Sequence, residues 1–455
     1  GMSAYGKPTY SDIFRQLGSV NEQGQFEINF SNEYIELLPV EGCDGHAQPV
    51  FSKWFSEHLG PRKKKDEPFS QKHYDIASSG QYFIEQIGVD IAKNLKKKCP
   101  EESSICLAGG VALNGLMNMR ILQDAGFSNV FIQPASGDDG TSLGAAWHVY
   151  HEHLHGKRCA GIDNVFFGLD YDSSSIQTEL ETYKLQFSQP KSIHVEVSRL
   201  LNEGKIVARY VGRGEFGPRA LGHRSILANP TLSHTKDEVN SKIKHRESFR
   251  PFAPACLDHK VQEYFNIHTH SPYMLLICTA KQGVRLKVPA VIHEDNTARL
   301  QSVKETENPD LYQIISEFYR LSKVPMVLNT SFNVNGEAIV ETPQDAIESF
   351  LFMGIDYLAI GPFLVSREDN LSHYLRPTRA EHIKARQVRY QEKYFSPERF
   401  LYPTSAPIES QLSILKGQVD MYRNAAEERL SLIERLDLEL KKLAPISITK
   451  DKTNH

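Results

Sequence analysis

The sequence has little cysteine, little net charge and no long apolar run, and each of these deficits excludes a class of protein. The 6 cysteines are scattered through 455 residues without a Cys-x-x-Cys pair, which argues against a disulfide framework in a chain of this length. The formal net charge of -4 gives no electrostatic reason to expect nucleic acid or an acidic membrane as a partner. No apolar run is long enough to span a membrane and no signal-peptide pattern is seen. We therefore expect a protein of the reducing cytoplasm.

Common catalytic signatures are missing as well. The sequence contains no Walker P-loop, no Gly-x-Ser-x-Gly elbow and no zinc-finger spacing, which are the usual marks of P-loop NTPases, serine hydrolases and zinc fingers. His151 and His155 do have the i,i+4 spacing of a metal-binding pair. They stand among other histidines near the end of a predicted helix, however, where histidine also suits the helix dipole.

Strand and helix patterns alternate along the chain, which indicates an α/β fold. A long helical pattern covers about residues 74–98, and residues 156–190 look like a connection. Strands are predicted at residues 105–108, 129–133, 206–211, 273–279, 324–328 and 357–360. Helices are predicted near residues 114–125, 141–153, 236–244, 310–321 and 343–353. Thr235 and Glu238 have the spacing of a capping box at the third of these helices.

The C-terminal tail has a different character. Apolar residues recur there at heptad spacing, which is typical of a coiled-coil helix. The members of this pattern are Leu412, Val419, Ala426, Ile433 and Leu440. Two interpretations stay open: the helix packs on its own domain, or it associates with a second copy or another partner.

Two glycine-rich turns follow the first two predicted strands. Gly109 and Gly110 precede the helix at Asn114, and glycine backbone followed by free helix amides can approach a phosphate or nucleotide closely. A tight turn that needs glycine for its geometry is the alternative. Asp138 and Asp139 lie between glycines in the second turn. One of these carboxylates can cap the following helix while the other is a candidate ligand for a hard metal ion.

Arginine, lysine and asparagine are concentrated in three later segments, residues 212–225, 244–254 and 327–337. The first contains a G-x-G-x-x-G spacing, but its arginines, Arg219 among them, suit a compact phosphate better than a dinucleotide. Lys244 and Arg250 lie in the second segment and can converge with Arg219 on one anion, the alternative being a solvated helix end. In the third, Asn329 and Ser331 lie two apart and face the same side of an extended strand. An Asn-Gly turn is the alternative there.

Taken in order, these segments resemble one family, the carbamoyltransferases that include the nodulation-factor and tobramycin enzymes. The resemblance covers about residues 1–368. It implies a partial actin-like ATPase-fold (ASKHA) domain over residues 1–165, a linker over 166–190, a YrdC-like α/β domain over 191–370, and a helical tail over 371–455. It also implies ATP-dependent conversion of carbamoyl phosphate to carbamoyl-adenylate, then O-carbamoyl transfer to a hydroxyl of a small-molecule or glycan acceptor.

The same resemblance assigns roles to particular residues. It implies that carbamoyl phosphate is bound by Arg219, Lys244, Arg250, Arg299, Asn329 and Ser331, the first three also being catalytic. In the first domain, Gly109, Gly110 and Asn114 match the nucleotide-binding loop. Asp138 matches a metal-ligand aspartate, with Asp139 as the second choice. The implied cofactors are ATP with Mg²⁺ and a divalent metal, iron or similar, at the transfer site.

One departure from the family pattern concerns the beginning of the chain. Residues 1–8 resemble an internal motif of the first domain, and in the family the preceding region contains the histidines that complete the metal site. We therefore expect the sequence to be a fragment, or to work with a second polypeptide that supplies the missing half. The half-domain would otherwise expose an apolar face.

Two other functions are consistent with parts of the sequence. A YrdC-type ligase that makes threonylcarbamoyl-adenylate for tRNA modification would use bicarbonate and threonine in place of carbamoyl phosphate. A non-catalytic scaffold would hold partners through the heptad tail. The scaffold predicts a disabled anion pocket, whereas the arginine and lysine set is intact, so carbamoyl-phosphate-dependent transfer is the leading hypothesis.

Overall fold

The structure, a computed structural model, describes residues 1–28, 35–39, 47–51, 53–64, 67–158, 161, 164–373 and 379–394. The chain divides into two units, residues 1–378 and residues 379–455. The heptad segment, residues 412–440, lies outside the described residues, so both interpretations of the tail stay open. No helix within the described ranges is long and apolar enough to cross a membrane.

The N-terminal part of the first unit is built around one long helix. Its helices are α1 (Ser11–Arg15), α2 (Lys53–Leu59), α3 (Gln71–Lys98), α4 (Gly115–Asp124) and α5 (Thr141–His148), the last continued by a π-helical turn, Val149–His153. Its strands are β1 (Gly18–Val20), β2 (Phe26–Ile28), β3 (Ile35–Pro39), β4 (Ala47–Phe51), β5 (Ser104–Leu107) and β6 (Asn129–Ile132). The pairs β1–β2 and β3–β4 are antiparallel, whereas β5 and β6 are parallel and are joined through α4. The predicted strand–helix–strand unit is therefore present.

Helices α3 and α4 pack with the β5–β6 pair around a small core of their own. Val89 on α3, Ile105 on β5, and Met117 and Ile121 on α4 are buried in it. Asn114 begins α4, because its side-chain oxygen accepts a hydrogen bond from the amide of Met117 at 3.1 Å. This cap fixes the point at which the glycine-rich turn ends and the helix starts.

A mixed sheet of eight strands forms the centre of the rest of the first unit. In chain order its strands are β7 (Val207–Tyr210), β8 (Arg224–Ala228), β9 (Ala253–Leu257), β10 (Leu276–Thr279), β11 (Thr297–Val303), β12 (Met326–Ser331), β13 (Tyr357–Ile360) and β14 (Phe363–Ser366). They lie in the order β10–β11–β9–β12–β8–β7–β13–β14. The β11–β9 and β7–β13 pairs are parallel and the other neighbours are antiparallel.

Helices accompany this sheet along the chain. They are α6 (Ser173–Thr182), α7 (Ile193–Asn202), α8 (Thr235–Glu238), α9 (Val261–Tyr264), α10 (Val284–Lys287), α11 (Pro309–Ser322) and α12 (Pro343–Phe352). Apolar side chains of α6, α7, α11 and α12 share one continuous core with the sheet. In the second unit the structure describes helix α13 (Arg379–Tyr394).

The N-terminal part packs against the edge of the large sheet through α4. Asn118 of α4 donates from Nδ2 to the carbonyl oxygen of Leu275 at 2.9 Å, just before edge strand β10. A Cβ atom on Gly115 would lie 2.9 Å from Cγ1 of Ile277, so the helix can come this close only with glycine at that position. This contact places the N-terminal part beside the segments that carry the arginines.

The structure confirms the α/β class and the helices and strands predicted above, with small differences at their ends. The helix predicted near residues 236–244 is α8 continued by a π-helical turn, Val239–Ile243. Residues 156–190, predicted as a connection, also include α6. Ile176 and Leu180 on that helix are buried in the main core, so this segment contributes to packing as well as joining its neighbours.

The capping box predicted at Thr235 and Glu238 is wrong. His234 is the N-cap of α8, and it forms no side-chain cap hydrogen bond. A capping box does form before α12, where Thr342 and Asp345 each bond the other's backbone amide. The two sequences have the same spacing of a hydroxyl and a carboxylate, and only the backbone at the helix start distinguishes them.

Candidate functional site

A cavity of about 730 Å³ lies between the N-terminal part and the large sheet. Gln81 of α3 and Leu116 of α4 line it from one side. The other side is formed by residues 218–220, the segment 246–251, and strands β11 and β12 with their neighbours. The structure brings five of the six predicted carbamoyl-phosphate residues to this cavity, namely Arg219, Arg250, Arg299, Asn329 and Ser331.

Arg219 reaches the cavity on a loop that is folded around one carboxylate. Glu215 accepts hydrogen bonds at one oxygen from the backbone amides of Leu221 at 2.7 Å and His223 at 2.8 Å. The loop connects β7 and β8, which are antiparallel neighbours. It is therefore not part of a βαβ unit, which agrees with the preference for a phosphate over a dinucleotide at this glycine motif.

The other two arginines of this motif have structural roles. Arg213 donates from Nε to the carbonyl oxygen of Gly168 at 2.8 Å, and Arg224 donates from Nη2 to that of Gly212 at 2.7 Å. The Arg224 guanidinium also lies 3.7 Å from the ring centroid of Tyr210. Of the three arginines, Arg219 is the one that lines the cavity.

Three guanidinium groups meet in the cavity, those of Arg219, Arg246 and Arg299. Burial and, to a smaller extent, the charges of Arg219 and Arg246 lower the pKa of Arg299 to about 9. Burial also lowers the pKa of Arg219. The Nε atoms of Arg219 and Arg299 are buried and have no hydrogen-bond partner within the described residues. None of the three guanidiniums forms an ion pair with a carboxylate in that part of the chain. Asp295 is an acidic residue that also lines the cavity, so the cavity holds an excess of positive charge.

Arg246 is the cavity residue that sequence reasoning left without a role. Its Nε donates to Oδ1 of Asn240 at 2.8 Å, and its guanidinium lies 4.9 Å from the ring centroid of Phe252. These two contacts hold the Arg246 guanidinium at the cavity. In the sequence, Arg246 is only one member of a charge run. Its place between Lys244 and Arg250 in the same segment was the available signal.

Arg250 lies in a more open position than the other arginines. Its side chain is 45% exposed and pairs with Glu247 at 3.0 Å. Because a solvated ion pair of this kind contributes little to stability, Arg250 can turn to a ligand at little cost. The structure therefore places it at the cavity as a movable cation.

Lys244 does not line the cavity. Its buried ammonium donates to the carbonyl oxygens of Ser331 at 2.5 Å and Asn333 at 2.9 Å, and to Oδ1 of Asn333 at 2.9 Å. These three acceptors use the three hydrogens of the ammonium group. Burial holds the pKa of Lys244 well below its usual range. Lys244 thus supports the turn that presents Ser331 to the cavity.

Asn329 and Ser331 lie at the end of β12 and both line the cavity, as their spacing predicts. Asn329 donates from Nδ2 to Oε1 of Gln301 at 2.8 Å and to the carbonyl oxygen of Ala220 at 3.3 Å. Its own Oδ1 is buried and has no partner within the described ranges. Ser331 donates from Oγ to Asn333 at 2.6 Å. The strand end therefore offers hydrogen-bonding groups beside the arginines.

The two glycine-rich turns form a second group of candidate residues. The amide of Gly109 donates to the carbonyl oxygen of Ser136 at 2.7 Å, which holds the two turns together. Gly109 has a φ of 95°, and a Cβ on Gly109 or Gly110 would meet no atom within 4 Å. Open space beside glycine backbone is what a closely bound nucleotide needs.

Asn114 connects this turn to the arginine cavity. Its side-chain amide and that of Gln81 exchange two hydrogen bonds of 3.0 Å. Gln81 lines the cavity. The predicted nucleotide loop and the anion cavity are therefore linked by one pair of amides.

Asp138 and Asp139 are exposed, and neither stands in a group of three side chains able to hold a metal ion within the described residues. His151 and His155 likewise belong to no such group in this part of the chain. His151 instead contacts the carbonyl oxygen of Gly156 through Nδ1 at 3.1 Å. At the predicted transfer site the described residues supply the carboxylates of Asp138 and its neighbour Asp139 and no third ligand, so they do not by themselves fit the divalent metal.

Comparison with known protein families identifies the family to which the chain belongs. Residues 1–147 match the family model described as Carbamoyltransferase N-terminus, and residues 198–367 match the one described as Carbamoyltransferase C-terminus. The chain belongs to the carbamoyltransferase family. Both glycine-rich turns fall within the first match, and all six residues predicted to bind carbamoyl phosphate fall within the second.

Three relatives show the range of this similarity. The uncharacterised protein sll1178 of Synechocystis is 34% identical over 398 residues, which cover 81% of this chain and 63% of that protein. The nodulation protein NolO of Bradyrhizobium diazoefficiens is 33% identical over 374 residues, covering 81% and 65%. The 3'-hydroxymethylcephem-O-carbamoyltransferase of Amycolatopsis lactamdurans is 32% identical over 277 residues, covering 61% and 51%. The carbamoyltransferase chain thus spans less than two thirds of the length of these relatives.

Proposed function

We propose that this carbamoyltransferase uses ATP to convert carbamoyl phosphate to carbamoyl-adenylate and then transfers the carbamoyl group to a hydroxyl of an acceptor. The observation that carries the proposal is the meeting of three guanidiniums, those of Arg219, Arg246 and Arg299, in one cavity. Buried cations of this kind need a counter-charge, which an anionic substrate would supply. The name of the Amycolatopsis relative, an O-carbamoyltransferase, supports a carbamoyl group as part of that substrate.

The chemistry of the donor suits these side chains. Carbamoyl phosphate is a compact dianion, and guanidinium groups bind phosphate oxygens bidentately. Water first cleaves carbamoyl phosphate to carbamate and phosphate, and a carbamate oxygen then attacks the α-phosphorus of ATP and displaces pyrophosphate. Fixed cations lower the cost of bringing these anions together, and they stabilise the charge that develops as phosphate and then pyrophosphate leave. Positioning and electrostatics then account for activation, and no side-chain nucleophile is required.

The residue roles follow from where each side chain lies. We assign to carbamoyl phosphate the cavity residues Arg219, Arg246, Arg250, Arg299, Asn329 and Ser331. Lys244 supports Ser331 through the backbone contacts described above, and a direct contact of Lys244 with the donor stays a prediction. To fill this role, the Arg250 side chain must leave its ion pair with Glu247 and bind the substrate instead.

ATP, entering with Mg²⁺, is assigned to Gly109, Gly110 and Asn114. The open space beside the two glycines and the amide link from Asn114 to Gln81 support this assignment. Asp138 stays the predicted ligand of a divalent metal, iron or similar, at the transfer site. Its further ligands would come from polypeptide outside this chain.

The domain assignments belong to the same proposal. The parallel β5–β6 pair with α4 is consistent with the C-terminal half of an ASKHA domain ending near residue 165. The eight-stranded sheet accounts for the proposed YrdC-like domain over residues 191–370. A second polypeptide that completes the first domain, and self-association through the tail, are the proposed protein partners.

The test is whether carbamoyl-adenylate forms from ATP and carbamoyl phosphate. Two assays measure it: ATP–pyrophosphate exchange and direct detection of the adenylate. Activation takes place in the cavity, so it is expected without an acceptor. Arg219→Ala and Arg299→Gln should each lower the rate by at least about a hundredfold, because each removes a cation from a low-dielectric site. Arg250→Ala should lower it as well.

Arg320→Ala is the matched control, since it removes one arginine that pairs with Glu317 on the exposed side of α11. It should leave the rate unchanged. Exchange that depends on bicarbonate and threonine instead of carbamoyl phosphate would favour the threonylcarbamoyl-adenylate ligase. Full activity in both Arg219→Ala and Arg299→Gln would remove the site assignment.

A further inference from the structure

His293 lines the same cavity as Arg299 and Asn329, but nothing above gives it a role. It is 8% exposed. The turn that leads into β11 holds it in place, because its amide donates to the carbonyl oxygen of Thr297 at 2.7 Å and its carbonyl accepts from the amide of Asn296 at 3.0 Å. The imidazole is thus a fixed part of the cavity wall.

The hydrogen bonds around this turn determine the tautomer of the ring. The hydroxyl of Thr297 donates its single hydrogen to Oδ1 of Asp295 at 2.6 Å. Thr297 Oγ1 must therefore accept in its 3.0 Å contact with His293 Nδ1, so Nδ1 carries the proton. Burial, together with the nearby charge of Arg299, lowers the pKa of His293 to about 3. The neutral ring consequently presents Nε2 as a hydrogen-bond acceptor.

No hydrogen-bond donor of the described chain reaches this nitrogen. Nε2 of His293 is buried and has no partner among the described residues, and the same is true of Oδ1 of Asn329. Both residues line a cavity whose charged side chains are mainly guanidinium donors. Guanidiniums match the phosphate end of a ligand, whereas two buried acceptors match a group that carries N–H bonds.

We propose that Nε2 of His293 accepts a hydrogen bond from the amino group of the carbamoyl donor and so selects carbamoyl phosphate over acyl phosphates that lack N–H. Oδ1 of Asn329 is the acceptor for the second N–H. This inference rests on the proposed function, and it adds a specificity-determining residue to it. The histidine transfers no proton, because its role requires the ring to stay neutral with Nδ1 protonated.

The experiment measures dissociation constants by calorimetry for carbamoyl phosphate, acetyl phosphate and inorganic phosphate. Acetyl phosphate replaces the amino group with a methyl group and keeps the phosphate. His293→Leu should raise the dissociation constant of carbamoyl phosphate by about tenfold. It should change the dissociation constants of acetyl phosphate and inorganic phosphate by less than about twofold. His293→Gln, which can present an amide oxygen, should recover much of the preference, and His268→Leu, outside the cavity, should change nothing.

Thr297→Val supplies an independent variant. It removes the group that holds the proton on Nδ1, so the same preference for carbamoyl phosphate should fall even if His293→Leu does not fold. If the ratio of carbamoyl to acetyl phosphate affinity is unchanged in both variants while Arg299→Gln abolishes all binding, the inference is overturned and the proposed site stands. Equal weakening of all three anions in folded His293→Leu would also overturn it. Failure of the unmodified protein to bind any of the three would overturn both proposals.

Discussion

Buried and half-buried arginines in this chain fall into two kinds, and the difference between them points to the candidate site. Arg209 is buried against Asp310, with Nη2–Oδ1 and Nε–Oδ2 distances of 2.6 and 3.0 Å. Arg224 is buried against backbone carbonyls. Arg219 and Arg299 have neither kind of compensation within the described chain. Desolvated cations cost folding free energy, so their retention is best explained by a ligand.

The Arg209–Asp310 pair gives a prediction about stability. Asp310→Asn should lower the free energy of unfolding by about 3 kcal/mol, because it leaves the buried Arg209 guanidinium without its counter-charge. Urea unfolding at neutral pH measures this loss. Asp90→Asn, on an exposed position of α3, is the control and should cost less than about 0.5 kcal/mol. A comparable loss in both variants would contradict the buried-pair explanation.

The same pair sets a pH dependence. Burial by itself would raise the pKa of Asp310, but the Arg209 charge and the hydrogen bond from His194 hold that pKa well below its usual range. A carboxyl with a depressed pKa contributes stability above its unfolded value of about 3.9 and loses it as the pH falls through the folded value. The difference between the unmodified protein and Asp310→Asn should therefore be constant from about pH 5 to 8 and shrink only below about pH 4.

At the scale of elements, short connections present the candidate groups and the strands hold them in register. The Arg219 loop joins β7 to β8, the His293 turn enters β11, and Asn329 lies near the end of β12. Because β12 lies next to β8 in the sheet, the β7–β8 loop is brought beside the strand that carries Asn329. The sheet order thus converts residues more than a hundred positions apart into neighbours.

The glycine turn before α4 gives a prediction at this scale. In the protein alone, Gly110→Ala places its Cβ in open space, so the melting temperature should stay within about 2 °C of the unmodified protein. If ATP phosphates approach this backbone, the same methyl group should weaken nucleotide binding by about tenfold. Titration with a fluorescent ATP analogue measures the affinity.

Gly144→Ala is the matched control for this variant, since a Cβ on Gly144 also meets no atom within 4 Å but lies on α5. It should bind the nucleotide like the unmodified protein. Unaltered affinity in Gly110→Ala would place the nucleotide elsewhere.

At the scale of the whole molecule, one surface of the described chain is unusually apolar. Helix α5 has no buried residue. Trp147 and Leu154, on α5 and just after its π-helical continuation, are 44% and 69% exposed. Val149 and Tyr150 are exposed between them. An apolar surface of this kind, on the helix that follows Asp138 in the chain, supports the proposal that further polypeptide completes the first domain.

Because of this apolar surface, the isolated chain should self-associate. We expect self-association in light scattering coupled to gel filtration, together with binding of a hydrophobic dye. The double variant Trp147→Gln/Leu154→Gln should reduce both, whereas Leu286→Gln, on a side chain that is 89% exposed in α10, should reduce neither. A stable monomer that binds no dye and holds a stoichiometric metal through Asp138 would contradict an incomplete first domain.

Much of the element order follows from the sequence, because hydrophobic period and turn residues are local properties. Two strands outside the six predicted above are instructive. β8 begins with Arg224, whose charge conceals its burial, and the apolar residues of β9 come directly after the charge run at residues 244–250. Their burial depends on partners from distant segments, namely the carbonyl oxygens that meet Arg224 and the strand β12 that pairs with both.

The sequence by itself determined the α/β class, the glycine-rich turns and the concentration of cationic residues in two segments, since each depends on residue type and short spacing. Only the tertiary structure decided which cations face the cavity: Arg219, Arg246, Arg250 and Arg299 do, while Lys244 bonds to the turn at Ser331. Which nitrogen of His293 is left as an acceptor was likewise decided by Thr297 and Asp295. Such choices depend on which groups compete for each hydrogen bond, and chain folding alone brings those competitors together.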